Sequence, residues 1–223
     1  MIYMLRSCSG GVLETPEDVT RAGVFRVGYV IASGQGAGRL ILPMPQGQRQ
    51  WARPQNSAGA GGSPAHELDG TFSVPDEGEQ SLHLHVTLAP ISDAQAGADA
   101  DRWCGYHGRA LTTGAWLSAT IAAARVRADG AALVVAGDEL DLTNPLAAVQ
   151  AALLRVCNVD RAALARAVGG GLGRLVSAAD EPTAVGIDPE GVHVRLRSGV
   201  ARVALDLGGA DSAERHLREW LSL

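Results

Sequence analysis

The sequence predicts a soluble α+β protein, with strands in the first two-thirds of the chain and helices in the last third. Short runs rich in Val, Ile, Leu and aromatic residues alternate with turn-forming residues up to about residue 143. At Asn144-Pro145 the apolar spacing changes to the three- and four-residue intervals of an amphipathic helix. The chain has 223 residues, 46% of them apolar, and is long enough to bury a substantial core.

The first predicted element is a β-hairpin. Residues 25–32 are rich in Val, Phe, Tyr and Ile, and residues 39–42 form a second short run of the same type. A Gly-rich segment separates the two runs, so we expect a turn there. Residues 43–64 are dense in Gln, Gly, Pro, Ser and Asn and contain almost no aliphatic side chains, which predicts a long mobile loop.

The clearest strand lies at residues 81–88. Leucine and valine alternate there with serine, histidine and threonine, so the apolar side chains share one face. Residues 101–113 are also interpreted as a strand. Residues 125–135 predict two strands joined by a turn at Asp129-Gly130.

The last third of the chain predicts helices and short strands. A helix is expected from Asn144-Pro145 to about Val156, with Asn as its cap and Pro in its first turn. Asp160 is expected to cap a second helix, which the glycines at 169–171 should weaken or end. Three strands at about 184–187, 192–197 and 200–207 and a final helix at 212–221 complete the pattern. We therefore predict two domains, residues 1–143 and 144–223.

Composition excludes several functional classes. All 19 basic residues are Arg, so a Schiff-base lysine, a pyridoxal-phosphate anchor and a Walker-type lysine are absent from this chain. The formal net charge of -5 argues against phosphate-driven nucleic-acid binding. Neither a membrane-spanning apolar run nor a secretory signal is recognisable, so we expect a cytoplasmic protein without a membrane partner.

Two groups of residues are candidates for ligand contacts. His83 and His85 lie two apart on a predicted strand and could supply two imidazoles to one metal; solvent-facing polar residues are the alternative. Arg102, His107 and Arg109 combine guanidinium and imidazole groups with nearby aromatic side chains. Guanidinium groups bind phosphate or carboxylate bidentately, so this segment could bind a planar, anionic ligand; an ordinary exposed strand is the alternative.

Other polar and thiol groups are interpreted as structural. His193 lies among Val192, Val194 and Leu196, and we expect it to be an exposed strand residue without a catalytic partner. The cysteines are odd in number and widely spaced, which favours small buried apolar residues over a disulfide framework.

A family resemblance covers about residues 86–223. The order Val86-Thr-Leu-Ala-Pro90, Asp101-Arg102 and Leu111-Thr-Thr-Gly-Ala-Trp116 resembles the second half of flavin-type split barrels related to pyridoxamine-phosphate oxidase. Asn158-Val-Asp160 at a helix start and Ala184-Val-Gly-Ile-Asp188 resemble the small C-terminal domain attached to such barrels in haem-utilisation proteins. The expected fold is therefore a split β-barrel followed by a small helix-containing α/β domain.

The resemblance implies a homodimer that binds haem or, alternatively, FMN, with a role in oxidative haem utilisation if the protein is an enzyme. Our leading hypothesis places Arg102, His107 and Arg109 near this ligand because of their chemistry, with His83 or His85 as alternative contacts. Arg161 stands where the family pattern has a histidine, and Leu205-Asp206 replaces a Phe-Pro-like strand end. These departures support the alternative of a cofactor-free regulatory or protein-binding module on the same fold. A metal-dependent enzyme using His83 and His85 is the third hypothesis.

Overall fold

A computed structural model describes the fold of the chain at residues 5–6, 8, 10–15, 23–33, 38–44, 67–74, 81–108, 115–128 and 130–222. The chain divides into two compact units. The first unit comprises residues 1–103 and 110–142, and the second comprises residues 104–109 and 143–223. The boundary predicted between residues 143 and 144 stays a prediction.

The first unit is built on an antiparallel sheet. Its strands in the described residues follow the spatial order β2-β1-β5-β6-β7-β4-β3, with β8 paired to β7 outside this path. The α+β class and the curled sheet of split-barrel type are confirmed. The strands are β1 (Gly10–Thr15), β2 (Gly23–Gly28), β3 (Val30–Ile31), β4 (Arg39–Pro43), β5 (Leu68–Val74), β6 (Ser81–Ile91), β7 (Trp116–Ala128) and β8 (Ala131–Ala136).

The two edges of this path meet at Tyr29. Strand β2 is one end of the path and β3 is the other, yet only Tyr29 separates them in sequence. Two residues cannot span more than about 7 Å, so Gly28 and Val30 hold both edges close together. Tyr29 is 2% exposed, and its hydroxyl donates a hydrogen bond of 2.7 Å to the Leu5 carbonyl. The buried ring therefore fixes the point where the curled sheet returns on itself.

Most strand predictions for the first unit are confirmed. The strand predicted at residues 25–32 is divided at Tyr29 into β2, which pairs with β1, and β3, which forms the expected hairpin with β4. Strands β7 and β8 pair from Ala128 and Ala131 outward. On β6 the predicted apolar face is buried, with Leu82, Leu84, Val86 and Leu88 each no more than 1% exposed. Residues 34–37 of the predicted hairpin turn, Asp129, and residues 45–64 of the loop predicted at 43–64 lie outside the described residues.

The predicted strand at residues 101–113 is wrong for its described part, which belongs to a helix. Helix α1 runs from Asp93–His107, with a kink at Gly97, where φ is 45°. This stretch contains no β-branched residue, and β-branched side chains are those that favour strands. Asp93 lies in the first turn, where a carboxylate interacts favourably with the helix dipole. Residues 109–113 lie outside the described residues.

The second unit contains a three-stranded antiparallel sheet and helices. The sheet has the order β11-β10-β9, and the buried side chains of its apolar face pack with the helices in one core. The predicted strands and final helix are confirmed. The elements are α2 (Gln150–Asn158), α3 (Arg161–Leu172), β9 (Thr183–Asp188), β10 (Gly191–Leu196), β11 (Gly199–Ala204) and α4 (Ala210–Leu221).

The helix starts show where local signals succeed. Asp160 caps α3 as predicted, because its carboxylate accepts hydrogen bonds from Ala162 and Ala163 at 2.9 and 3.0 Å. Asn144 caps a turn through the Leu146 N–H at 3.0 Å, whereas regular helix begins only at Gln150. Helix α3 continues through the predicted glycine break and ends beside Gly173, whose φ of 62° suits glycine.

None of the helices in the described part of the chain is long and apolar enough to cross a membrane.

Candidate functional site

The first polar cluster lies on the outward face of the sheet in the first unit. Because Leu82 and Leu84 point into the core, the intervening His83 and the next histidine, His85, share the opposite face. Ser73 lies directly across from His83 on β5. A hydrogen bond of 2.9 Å joins the Ser73 hydroxyl to Nδ1 of His83, so the ring of His83 is held from one side.

Arginine flanks the histidines on the other side. Arg125 lies directly opposite His83 on β7, and Arg127 lies opposite Ser81. Both arginine side chains are exposed, as is His85. Opposed residues in an antiparallel pair have Cβ atoms about 5 Å apart, and alternate residues on one strand are about 7 Å apart. We call His83, His85, Arg125 and Arg127 the outward basic patch.

A β-bulge lies at the end of this patch. His85 pairs with Ala123, but the next pair along the strands joins Val86 to Ile121, so Ala122 is the extra residue on β7. Bulges re-aim side chains and increase local twist, and they are frequent beside functional sites. Ala123, which lies opposite His85, carries only a methyl side chain.

The charges of the outward basic patch favour an anionic ligand over a metal ion. Two guanidinium groups stay cationic at neutral pH and would repel a bare cation. In the described part of the chain, moreover, no three His, Cys, Asp or Glu side chains are grouped so that they could hold a metal ion. The assignment of His83 and His85 as metal ligands therefore stays a prediction. Neither the described neighbouring side chains nor the charges of the arginines support it.

Arg102 is engaged within the first unit. Its guanidinium donates to Asp99 at 3.2 Å and to the Ile31 carbonyl. Asp99 is 8% exposed and also accepts the Ser33 N–H at 3.0 Å. The indole of Trp103 donates to the Gly28 carbonyl at 3.0 Å. Helix α1 is thereby fixed to the segment around Tyr29, and Arg102 has a structural task there.

The other two predicted cofactor residues are less defined. His107 is the last residue of α1 and is half-buried. It is five positions after Arg102, which corresponds to about 140° around a regular helix, so the two side chains leave α1 in different directions. Arg109 lies outside the described residues. Their role at a cofactor stays a prediction.

A second polar cluster, unforeseen from the sequence, lies within the second unit. The Tyr106 hydroxyl is 2.5 Å from Nδ1 of His193, and Nε2 of His193 is 3.7 Å from the Asp188 carboxylate. Arg202 donates to the other oxygen of Asp188 at 2.8 Å. His193 is only 8% exposed, so the interpretation of His193 as an exposed residue without a partner is wrong.

Strand register explains how these four side chains meet. His193 lies between Gly186 on β9 and Arg202 on β11. Gly186 has no side chain, and a Cβ there would lie 1.7 Å from the Tyr106 hydroxyl oxygen. Glycine at this position therefore lets the phenol reach His193. We call Tyr106, His193, Asp188 and Arg202 the buried relay.

Cys157 is a packing residue. It is fully buried in the core of the second unit, and burial raises the pKa of its thiol to about 12. The thiolate is the reactive form, so this cysteine is inert at neutral pH and the sequence-based interpretation holds for it.

Comparison with known proteins shows a shared fold. No protein-family model matches the chain, and no curated protein matches it. The protein Atu2129 (unknown function) from Agrobacterium tumefaciens has a similar structure, with a TM-score of 0.64 and 13% identity over 98% of this chain and 91% of that one. The extent of the match shows that the two chains share a fold.

Two further solved structures have lower scores. A haem binding protein from Mycobacterium smegmatis matches with a TM-score of 0.38 and 16% identity over 99% of this chain and 94% of that one. A protein related to general stress protein 26, of the pyridoxinephosphate oxidase family, from Clostridium acetobutylicum has a TM-score of 0.41 and 12% identity over 61% and 92%. Split-barrel proteins of the kind that the sequence resembles are thus among the structural neighbours of this chain.

Proposed function

We propose that the protein binds a planar, anionic cofactor of the haem or flavin type at the outward basic patch. The observation that carries the proposal is the placement of Arg125 directly opposite His83, which is itself oriented by Ser73. The guanidinium groups and the oriented imidazole lie on one face of the sheet, where they can donate hydrogen bonds to a carboxylate or phosphate. The ligand class agrees with the sequence resemblance.

The patch suits a flat ligand with an acidic edge. Arg125 and Arg127 could each donate to a carboxylate or phosphate, since their spacing of about 7 Å allows two separate anionic groups or one extended group. Ala123 leaves room for a ring beside His85. A bound haem or flavin would supply redox chemistry, while these side chains would bind and orient it.

Several finer statements belong to the same proposal. Arg102, His107 and Arg109 remain candidates for further ligand contacts, and a homodimer in the cytoplasm remains the expected assembly and location. Oxidative haem utilisation would be the reaction if the bound group is haem. The haem binding protein from Mycobacterium smegmatis suggests haem as the first ligand to test, and FMN as the second follows from the split-barrel resemblance.

The test is a spectroscopic titration of the full chain with haem and, separately, with FMN. The double variant Arg125→Gln/Arg127→Gln should bind about tenfold more weakly than the unmodified chain, because charge-assisted hydrogen bonds are lost. Arg26→Gln is the matched control, since Arg26 is an exposed arginine on β2 of the same sheet. Equal affinity for the double variant and the control would remove the patch from the proposal.

One observation favours the cofactor-free alternative. Asn158, part of the resemblance to haem-utilisation proteins, uses its side chain to bind the β9 backbone, donating to the Ala184 carbonyl at 2.9 Å and accepting its N–H at 2.8 Å. Asp160 is used as a helix cap. These residues therefore have sufficient structural reasons to be present. A full chain that binds neither haem nor FMN, yet retains a protein partner in pull-down, would support a regulatory module.

A further inference from the structure

Strand β8 is an edge strand with an apolar sequence and an exposed surface. Its residues, Ala-Ala-Leu-Val-Val-Ala, include no charged or hydroxyl-bearing side chain. In the described part of the chain, β8 pairs only with β7. Leu133 and Val134 are nevertheless 61% and 65% exposed. Edge strands usually carry charged side chains that prevent pairing with another chain, so an exposed apolar edge strand indicates a binding surface.

Strand register places one face of β8 beside the outward basic patch. Val134 lies directly opposite Arg125 on β7. Residues paired across antiparallel strands point to the same face of the sheet, so Val134 shares the outward face with Arg125. Ala132 and Ala136, two positions before and after Val134, lie on this face as well, and Ala136 pairs with Ala123. We call Ala123, Ala132, Val134 and Ala136 the apolar shelf.

The apolar shelf and the arginines form one amphipathic surface. Arg125 and Arg127 lie on the strand next to β8, at a strand spacing of about 5 Å, and the shelf extends about 14 Å along β8 from Ala132 to Ala136. The shelf offers methyl groups to a flat apolar ring, while the guanidinium groups can donate to an acidic group at the edge of that ring. A small hydrophilic anion would contact the arginines and leave the shelf in water.

The charges of this surface argue against a second copy of the chain as its occupant. In a symmetric dimer formed through this face, the same surface of both copies would meet. Arginines of like charge would then be brought together, which is unfavourable in an interface. An anionic ligand would instead compensate the charges of Arg125 and Arg127.

We propose that the outward basic patch and the apolar shelf together bind an amphipathic aromatic anion. Its ring lies on Val134 and the neighbouring methyl groups, and its acidic group contacts Arg125 or Arg127. This inference rests on the proposed function, since it uses the same patch, and it adds the class of ligand: an apolar ring is required in addition to the negative charge.

The probe for this site is anilinonaphthalene sulfonate, a fluorescent fused-ring anion, titrated into the full chain. Val134→Thr should weaken its binding about fivefold, because a hydroxyl group covered by the ring would lose water without gaining a partner. Threonine is β-branched like valine, so β8 should keep its structure in this variant. Inorganic phosphate should displace the dye poorly, since it does not contact the shelf.

Two matched controls locate the contact. Val24→Thr makes the same substitution at a valine that is 71% exposed on the outward face of β2, and Leu133→Thr alters the opposite face of β8. Both variants should bind the dye like the unmodified chain. Equal affinities of Val134→Thr and Val24→Thr would overturn the proposal, as would an equal loss in Leu133→Thr or the absence of saturable binding to the unmodified chain.

The same titrations separate this inference from the proposed cofactor function. If dye binding is weakened by Val134→Thr and by Arg125→Gln/Arg127→Gln, but neither haem nor FMN binds, the cofactor proposal fails and the amphipathic site is supported. If haem or FMN binding depends on the two arginines, but Val134→Thr binds cofactor and dye unchanged, the patch is supported and the apolar shelf is overturned.

Discussion

The outward basic patch and the buried relay use the same residue types in opposite surroundings. Both contain histidine and arginine on neighbouring antiparallel strands. In the patch, Arg125 and Arg127 are exposed, so water can stabilise their charges. In the relay, the Arg202 side chain is 4% exposed and forms ion pairs with Asp188 at 2.8 Å and Glu190 at 3.4 Å. A ligand can therefore replace the water around the side chains of the patch, whereas the side chains of the relay already bind partners within the protein.

The largest expected effect comes from removing the buried cation. Arg202→Met should lower the free energy of unfolding by about 3–5 kcal/mol, because Asp188 would be left buried without its guanidinium. Arg125→Gln should change it by less than about 0.5 kcal/mol, since it alters only an exposed surface position. Urea-induced unfolding followed by circular dichroism compares the two. Similar losses in both variants would break the distinction between patch and relay.

A double variant sharpens this first comparison. Asp188→Asn combined with Arg202→Met leaves no uncompensated carboxylate at the site, so it should be more stable than Arg202→Met alone. If the double variant is the less stable of the two, Arg202 stabilises the sheet by packing, not by charge pairing.

An intermediate effect is expected at the buried carboxylate of the first unit. Asp99→Ala should cost about 1–3 kcal/mol, because the Ser33 N–H and the Arg102 guanidinium would both lose an acceptor. Asp101→Ala is the matched control, since Asp101 is exposed on the same helix. Thermal unfolding of both variants measures the difference. If Asp101→Ala is as unstable as Asp99→Ala, the loss of stability comes from removing a negative charge from α1. It then does not come from the contacts of Asp99 with Ser33 and Arg102.

The smallest effect is expected at the exposed cap of α3. The N–H groups of Ala163 and Ala162 lower the pKa of Asp160 below its ordinary value of 3.8. A lowered pKa means that the stabilisation is present above the ordinary value and is lost as the pH falls through the folded-state value. Asp160→Ala should therefore have a slightly lower Tm at pH 6, and this difference should shrink toward pH 3. A difference that stays constant with pH would show that the carboxylate charge is irrelevant to the cap.

Much of the fold could be predicted because its signals are local. The alternation at β6 identified both the strand and its buried face, and Asp160 identified the start of α3. Helix α1 was missed because residues 101–113 were interpreted as a strand. The lack of β-branched residues from 93 to 107 was the signal that could have corrected this interpretation.

The candidate sites depend on strand register, which the sequence does not reveal. The spacing of His83 and His85 predicted that they share a face, but Arg125 joins them only through the pairing of β6 with β7. The buried relay is even harder to predict from the sequence, because Tyr106 and His193 are 87 residues apart in the chain. Gly186 gave no sign of its role, since only the folded structure shows which side chain needs the missing Cβ.

The junction at Tyr29 has a consequence for how the first sheet can open. A strand at an ordinary sheet edge can detach while the rest of the sheet stays intact, and β8, which lies outside the main path, has that freedom. Strands β2 and β3 do not, because a single residue ties one edge to the other. Detachment of β3 would pull on β2 and on the buried Tyr29 ring. Local fraying there is therefore coupled across the whole width of the sheet, and β2 and β3 should open together as one cooperative unit.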